Sequence, residues 1–423
     1  KLVRAALEKA GLPFKPPLPL PDKPSIAVLA FDNMSGDPSQ EYFSDSISEN
    51  IITALSKVGE LFVIARNSSF TYKGKPVKVQ QISRELGVRY VLEGSVRRAG
   101  DRVRITAQLI DAANGNHVWA ENYDRSLDDL FEIQDEITLK IVNGLQIQLT
   151  EGEHARIWSK QNCSLDAYLK AAEAQSIRHK GTKESFIRYG QIGQEIVEAE
   201  PECLMGYSIL AWYNAAIAAY TKSPKKFIEK AFKYAQKGLS IDDSDPSILR
   251  NAGAVYLKKR EYEKAIEMGQ RAVDIAPNGA EFHAMLGFIL SYAEMPDKCI
   301  VHANQAIRLD PFPQVWPHAT LGRCYLLKGQ YDKSLEAYSK ALKISPDNTL
   351  ALGGIIAAYS LLGREEDAHR EAKRLLELMP GLNVAFLNGS PFKNQEDRNL
   401  FSDAWLKAGI PDKPKTAQQN EDN

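Results

Sequence analysis

The sequence predicts two fold classes in one chain. An α/β N-terminal domain, with a mixed sheet that ends in a β-meander, precedes an all-α superhelical solenoid of helical repeats. Three observations carry this. Strand-like and helix-like patterns alternate between residues 25 and 150. From about residue 164 no strand pattern survives. The helical part then repeats itself at an offset of 34 residues, which is the strongest signal in the chain. At 423 residues the chain also exceeds the usual size of one domain.

Residues 1–24 read as a short helix (Lys1–Ala10) followed by "PFKPPLPLPDKP", which holds six prolines. Proline fixes φ and removes a donor, so this is an extended linker; a ligand for a proline-recognition domain is the alternative. "SIAVLAF" (Ser25–Phe31) is an apolar strand. Phe43, Ile47, Ile51 and Leu55 recur every four residues and mark one helix face. "LFVIAR" (Leu61–Arg66) is a second strand, and Val79–Leu86 a short helix stopped by Gly87. Three strands follow, "VRYVLEGSVRRA", "DRVRITAQLID" and "NHVWAENYDR", with Gly100-Asp101 and Asn114-Gly115 at the hairpin turns. "RVRITAQL" alternates polar and apolar, so the sheet has one wet face. Leu127–Leu149 is a helix with Leu130, Ile133, Ile137 and Ile141 on one side.

The polar loop "FDNMSGDPSQEYFSD" has the strand–loop–helix layout of phosphate and metal loops. A calcium loop needs oxygen ligands at alternate positions, but Asp32 is followed by Met34 and Gly36. Asp37 fits better as an N-cap, with Pro38 at the first helical position and Gln40 as the third residue of a capping box. An anion held at the helix end by Ser39 and Gln40 is the alternative.

In the repeats, Gly253 meets Gly287, Ala272 meets Ala306 and Pro277 meets Pro311, each 34 residues on. A third unit carries Gly322, Tyr325, Ala341 and Pro346, and a fourth Tyr359, Ala368 and Pro380. This unit resembles the tetratricopeptide repeat. Small residues let antiparallel helices approach, Tyr256, Tyr325 and Tyr338 fill the holes between them, and the closing proline ends each second helix. The solenoid is expected over 164–380, with four clear repeats over 246–380 and one or two degenerate ones before. A capping helix is expected over 381–411 and a disordered tail over 412–423. First helices line the inner face of such stacks. Arg250, Lys258, Phe288, Tyr292, Trp316 and Arg323 are therefore the candidate groove for a peptide or helix; the alternatives are a groove filled by the chain's own segments, or aromatics packed between repeats.

Lys+Arg 53 against Asp+Glu 54 gives a net charge of −1, which argues against a dedicated nucleic-acid or anionic-membrane binder. No apolar run is long enough to span a bilayer, and the charged N-terminus is no signal peptide. The chain starts at Lys1 and reads as a fragment of a longer parent or a trimmed chain. The four cysteines, Cys163, Cys203, Cys299 and Cys324, show no CxxC and read as reduced, buried thiols in a reducing compartment, so a cytoplasmic setting is expected over a periplasmic one. No GxGxxG follows the first strand, and GxxxxGK[ST], HExxH and GxSxG do not occur. The seven histidines are scattered, and His283 and His318 share a repeat position. No catalytic, metal or cofactor residue is assigned.

The stretches "KPSIAVLAFDNMSGDPSQEYFSDSISENIITALSK", "LFVIARNSSFTYKGK" and "RELGVRYVLEGSVRRAGDRVRITAQLIDAANGNHVWAENYDR" resemble the TolB-like amino-terminal-type domain over about residues 24–146. Ala30 departs from it, standing where that family usually has proline. In bacteria this domain precedes tetratricopeptide repeats in multidomain signalling proteins, most often class III adenylate/guanylate cyclases, with winged-helix regulators and Ser/Thr kinases as other parents. The resemblance implies a non-catalytic regulatory region, with any cyclase domain upstream of Lys1. That region would dock a protein or peptide partner, or a second copy of itself, through the repeat groove. The alternatives are a sensor of a small anion or nucleotide in the α/β domain, and a stand-alone scaffold for an envelope or secretion complex.

Overall fold

The computed structural model describes residues 17–150, 153, 163–178, 182–218, 221, 223–312 and 315–413. The expected helix at Lys1–Ala10 and the tail beyond Lys413 lie outside the described residues. Contacts divide the chain into two units, Lys1–Lys160 and Gln161–Asn423, and each is described by itself.

The first unit holds strands β1 (Ser25–Val28), β2 (Asp32–Asn33), β3 (Phe62–Val63), β4 (Tyr90–Ala99), β5 (Arg102–Asp111) and β6 (Asn116–Ser126). The sheet order is β3-β1-β4-β5-β6, with β2 also on β4. The pairings of β1 with β3 and β4 are parallel, and those of β4-β5-β6 are antiparallel, so the sheet is mixed with a meander. The expected strand Ser25–Phe31 is broken after Val28. Phe31 turns its ring against Gly94, and its N–H leaves the ladder to donate to Ser48 Oγ at 2.9 Å. The second expected strand shrinks to two residues because Arg66 already opens a short helix.

The helices of this unit bounded by described residues are α1 (Glu41–Ser56), α2 (Arg66–Phe70), α3 (Val79–Leu86) and α4 (Leu130–Gly144). Phe43, Ile47, Ile51 and Leu55 of α1 are fully or almost fully buried, as are Leu130, Ile133, Ile137 and Ile141 of α4, and the two helices touch. The helix expected over Leu127–Leu149 opens as a 3-10 turn at Leu127–Asp129 and stops at Gly144. Gln146 beyond it takes a left-handed conformation, φ 56. On β5, Val103, Ile105 and Leu109 face the core. Arg102 and Arg104 face solvent and share the Asp124 carboxylate.

The second unit contains, among the described residues, six consecutive helix pairs: α5 (Leu165–Arg178) and α6 (Lys183–Ala199), α7 (Leu204–Ile217) and α8 (Pro224–Ile241), α9 (Pro246–Lys258) and α10 (Tyr262–Ile275), α11 (Ala280–Leu290) and α12 (Pro296–Leu309), α13 (Val315–Leu327) and α14 (Tyr331–Ile344), α15 (Thr349–Leu361) and α16 (Glu365–Leu378). Small residues make the contacts. Ala265, Ala272, Ala303, Ala306, Ala341 and Ala368 are at most 1% exposed. Tyr338 fills the space between neighbouring pairs: a Cβ on Gly354 would stand 2.0 Å from its ring, and one on Gly322 2.9 Å. After α16 the chain makes a 3-10 segment (Val384–Gly389) and α17 (Gln395–Lys407), which lies on α15. Trp405 Nε1 donates to Gly353 O at 2.8 Å, and Ser360 Oγ to Ala404 O at 2.9 Å.

The cysteines overturn the expectation of free thiols. Cys163 pairs with Cys203, and Cys299 with Cys324, at Cα separations of 4.8 and 6.3 Å. The sequence hides this because the partners lie 40 and 25 residues apart. Stacking brings them together, Cys299 on α12 facing Cys324 on α13. The argument for a reducing compartment falls with it, since such bonds persist in oxidising settings. Among the described residues no helix is long and apolar enough to cross a membrane.

Two outcomes test this packing. Gly354→Ala is expected to destabilise by about 2 kcal/mol or more in denaturant unfolding, and adding Tyr338→Ala should recover part of that loss, because the two sites share one space. Cys299→Ser is expected to remove about 3 kcal/mol, the loop-closure effect of a 25-residue loop, and a reductant should lower the wild-type melting temperature but not further lower that part of the variant's.

Candidate functional site

The six groove candidates fall into two places. Phe288, Tyr292, Trp316 and Arg323 come together on the inner side of the fourth and fifth pairs. Ring centroids of Phe288 lie 5.1 Å from Tyr292 and 5.0 Å from Trp316. The Arg323 guanidinium stacks on Tyr292 at 4.2 Å and on Phe288 at 5.4 Å. These four are not an open groove, because the chain's own C-terminal segment lies over part of the cluster. Phe392 packs on Tyr292 at 4.9 Å and on Phe401 at 5.4 Å, and Lys393 N–H donates to Tyr292 O at 3.0 Å.

Two inter-helix turns hold that segment down. Arg260 donates to the carbonyls of Phe392, Asn388 and Ser390 at 3.3, 3.1 and 3.0 Å. Tyr262 Oη donates to Phe392 O at 3.1 Å. In the next turn Glu294 accepts from Asn394 Nδ2 at 2.6 Å. Arg260, Glu294, Gly329 and Gly363 occupy one equivalent turn position, and all are left-handed, with φ of 62, 61, 70 and 71. Glycine adopts this freely, whereas a side chain there costs about 1 kcal/mol or more. Of these four pairs, the two that carry a side chain there are the two whose turns grip the C-terminal segment. Sequence reasoning passed over Arg260 and Glu294, although their place opposite Gly329 and Gly363 at the repeat offset was the available signal.

Arg250 and Lys258 sit apart from this cluster, two turns from each other on one side of α9. Burial pulls the Arg250 guanidinium below its usual value; Glu281 opposes the effect, and the nearby Arg178 adds to it. Arg178 in turn lies over Trp212 at 5.1 Å and Tyr189 at 5.9 Å. Desolvation also lowers the Lys258 ammonium, although the side chain is exposed. Arg250 Nε and Nη2 donate to Asn251 Oδ1, and neither Arg250 nor Lys258 has a carboxylate partner among the described residues.

In the first unit Asp37 caps the helix start as expected, accepting from Ser39 N–H at 2.9 Å. The reciprocal half of the capping box is missing, since Gln40 Nε2 donates to the Asp37 carboxylate at 3.3 Å instead. Gln40 N–H goes to Asp37 O at 3.1 Å. Hydrogen bonds from Ser39, and then Gln40, hold the Asp37 carboxyl below its usual range. The donors proposed for an anion, Ser39 and Gln40, are thus already taken up by Asp37. Among the described residues no group of three His, Cys, Asp or Glu is placed to hold a metal ion.

Residues 316–348 match the tetratricopeptide repeat. Residues 22–140 match the second domain of HilA/YgeH-like transcriptional regulators, so the α/β region is matched under that description and not as TolB-like. A Rhizobium meliloti protein named "Putative adenylate cyclase 3" is 45% identical over 243 residues, 57% of this chain and 41% of that protein. "Hsp70-Hsp90 organizing protein 3" of Arabidopsis thaliana is 22% identical over 201 residues, 38% of this chain and 36% of that protein. A solved structure, "Crystal structure of YrrB: a TPR protein with an unusual peptide-binding site", aligns at 20% identity and a TM-score of 0.32, covering 44% of this chain and 92% of that one. The chain spans well under two thirds of the curated relatives' own length.

The tetratricopeptide stack also joins two histidines that looked scattered. His283 Nδ1 lies 2.9 Å from His302 Nδ1, and His283 Nε2 lies 3.0 Å from Pro277 O. Burial lowers the His283 pKa from the usual 6.5 to about 4, against a raising contribution from the Pro277 carbonyl, with His302 adding to the fall. His302 is lowered by burial too, with Asp274 opposing and Lys298 assisting. The unfolded chain therefore binds more protons here than the native one. Stability is fully present above about pH 6.5 and is expected to fall as the pH drops toward 4. Denaturation midpoints measured across that window should show the slope, and His302→Ala should flatten it.

Proposed function

We propose that this chain is a non-catalytic regulatory and protein-interaction region of a bacterial signalling protein of the adenylate cyclase type, with an α/β domain of the TolB-like kind ahead of its tetratricopeptide repeats. The relative at 45% identity supports the signalling context. The repeats support the interaction role. The observation that carries the reading is the set of cations Arg178 and Arg250, with Trp212 under Arg178 and Lys258 two turns further along α9. Among the described residues none of these cations has a carboxylate at ion-pair distance, Glu281 and Asp245 acting on Arg250 only from further off, and Arg178 lies over the Trp212 ring. A partner that fits is an acidic, extended peptide: its carboxylates would pair with Arg250 and Lys258, and an apolar side chain would lie on Trp212.

The test is a fluorescence-anisotropy titration of the protein with a Glu/Asp-rich peptide and a Lys-rich peptide of equal length. The acidic peptide is expected to bind at least about tenfold more tightly, in a salt-sensitive way. Arg250→Glu combined with Lys258→Glu should abolish that preference while leaving the melting temperature close to wild type. Equal binding of both peptides by the wild-type protein would overturn the reading.

A further inference from the structure

Arg323 is an unusual residue to find where it is. It is 3% exposed, and a guanidinium carries five N–H donors and no acceptor. One of them is used, Nη1 to Ser291 Oγ at 3.0 Å. Its Cζ lies over the Tyr292 ring, 4.2 Å from the centroid. No carboxylate pairs with it among the described residues. A buried cation without an anion is costly to keep, and such groups collect at functional sites.

The space beside it is shaped to receive something. A cleft of about 200 Å³ is lined by Arg323, Tyr338, Phe386, Leu387, Phe392 and Trp405 among others. Apart from Arg323, these walls are almost wholly apolar or aromatic. Buried Tyr338, 1% exposed, lines the same cleft, and no hydrogen bond involves its hydroxyl among the described residues. The C-terminal segment, held by Arg260 and Glu294, roofs the cleft, and Phe386, 56% exposed, stands at its mouth. A cavity of about 150 Å³ takes a benzene ring, so this one has room for a ring and a short acidic arm.

We propose that this cleft is a binding site for a small carboxylate with an apolar body, of the aryl-acetate size. Its carboxylate would supply the missing anion to Arg323 and accept from the Tyr338 hydroxyl. Its ring would fill the space between Phe386, Phe392 and Trp405. The site lies beneath the chain's own segment and away from Arg250 and Lys258 on α9, so its fate is separate from that of the peptide reading.

Phenylacetate and its neutral analogue 2-phenylethanol are the ligands to compare, by calorimetric titration and by the fluorescence change of the tryptophans. The wild-type protein is expected to bind phenylacetate at least about tenfold more tightly than the alcohol, as a charge-assisted bidentate contact implies. Arg323→Met should erase that difference. Because a core arginine variant can fail to fold, Phe386→Ala at the exposed mouth is the second arm, expected to weaken phenylacetate about threefold or more without loss of melting temperature. Equal affinity for acid and alcohol in the wild type, no binding of either, or an unchanged affinity in Phe386→Ala would each overturn the assignment.

Discussion

Much of the second unit turns on one steric arrangement, the ring of Tyr338 wedged against Gly322 on one side and Gly354 on the other. Neither neighbour tolerates a Cβ at that distance without displacing the ring. The wedge fixes the spacing of the fifth and sixth helix pairs, and that spacing decides how far α15 stands from α13. α17 lies on α15, with Trp405 hydrogen-bonded to Gly353, the residue next to the second glycine. One aromatic side chain therefore sets a helix–helix contact, the seat of the C-terminal helix and a wall of the buried cleft. It is the usual logic of close packing, in which interiors transmit shape instead of absorbing it.

The inner face of the stack is divided along its length. Toward the C-terminal pairs it is largely apolar and covered by the chain itself. Around α9 it carries Arg250 and Lys258, neither of which has a carboxylate at ion-pair distance among the described residues. Where Arg260 and Glu294 stand in place of glycine, the backbone holds a left-handed conformation that neither residue favours, and both side chains grip the same segment. Strain that a glycine would relieve is kept where a side chain has a structural task.

The repeat architecture was legible because its signal is redundant: each small residue recurs at 34-residue intervals, so no single position had to be read correctly. The meander was legible for a similar reason, with two turn pairs and an alternating strand agreeing. What escaped lacks such redundancy. The break after Val28 depends on Phe31 finding Gly94, a partner 63 residues away. Pairing of the cysteines and of His283 with His302 comes from stacking geometry and not from local spacing. The groove residues illustrate the limit best: the register placed Phe288, Tyr292, Trp316 and Arg323 on the inner face, but whether that face is free depends on where residues 382–407 fold back, and no periodicity encodes that.

The two disulfides have a consequence under tension. Pulled from its ends, a repeat stack unravels by releasing the contour length of successive helices. Here the covalent links between Cys163 and Cys203 and between Cys299 and Cys324 bypass 40 and 25 residues. At about 3.5 Å per extended residue, roughly 140 and 90 Å of chain cannot be paid out until a bond breaks. The first link spans the opening helix pair, and the second spans the boundary between the fourth and fifth pairs, so the stack is mechanically shorter than its sequence.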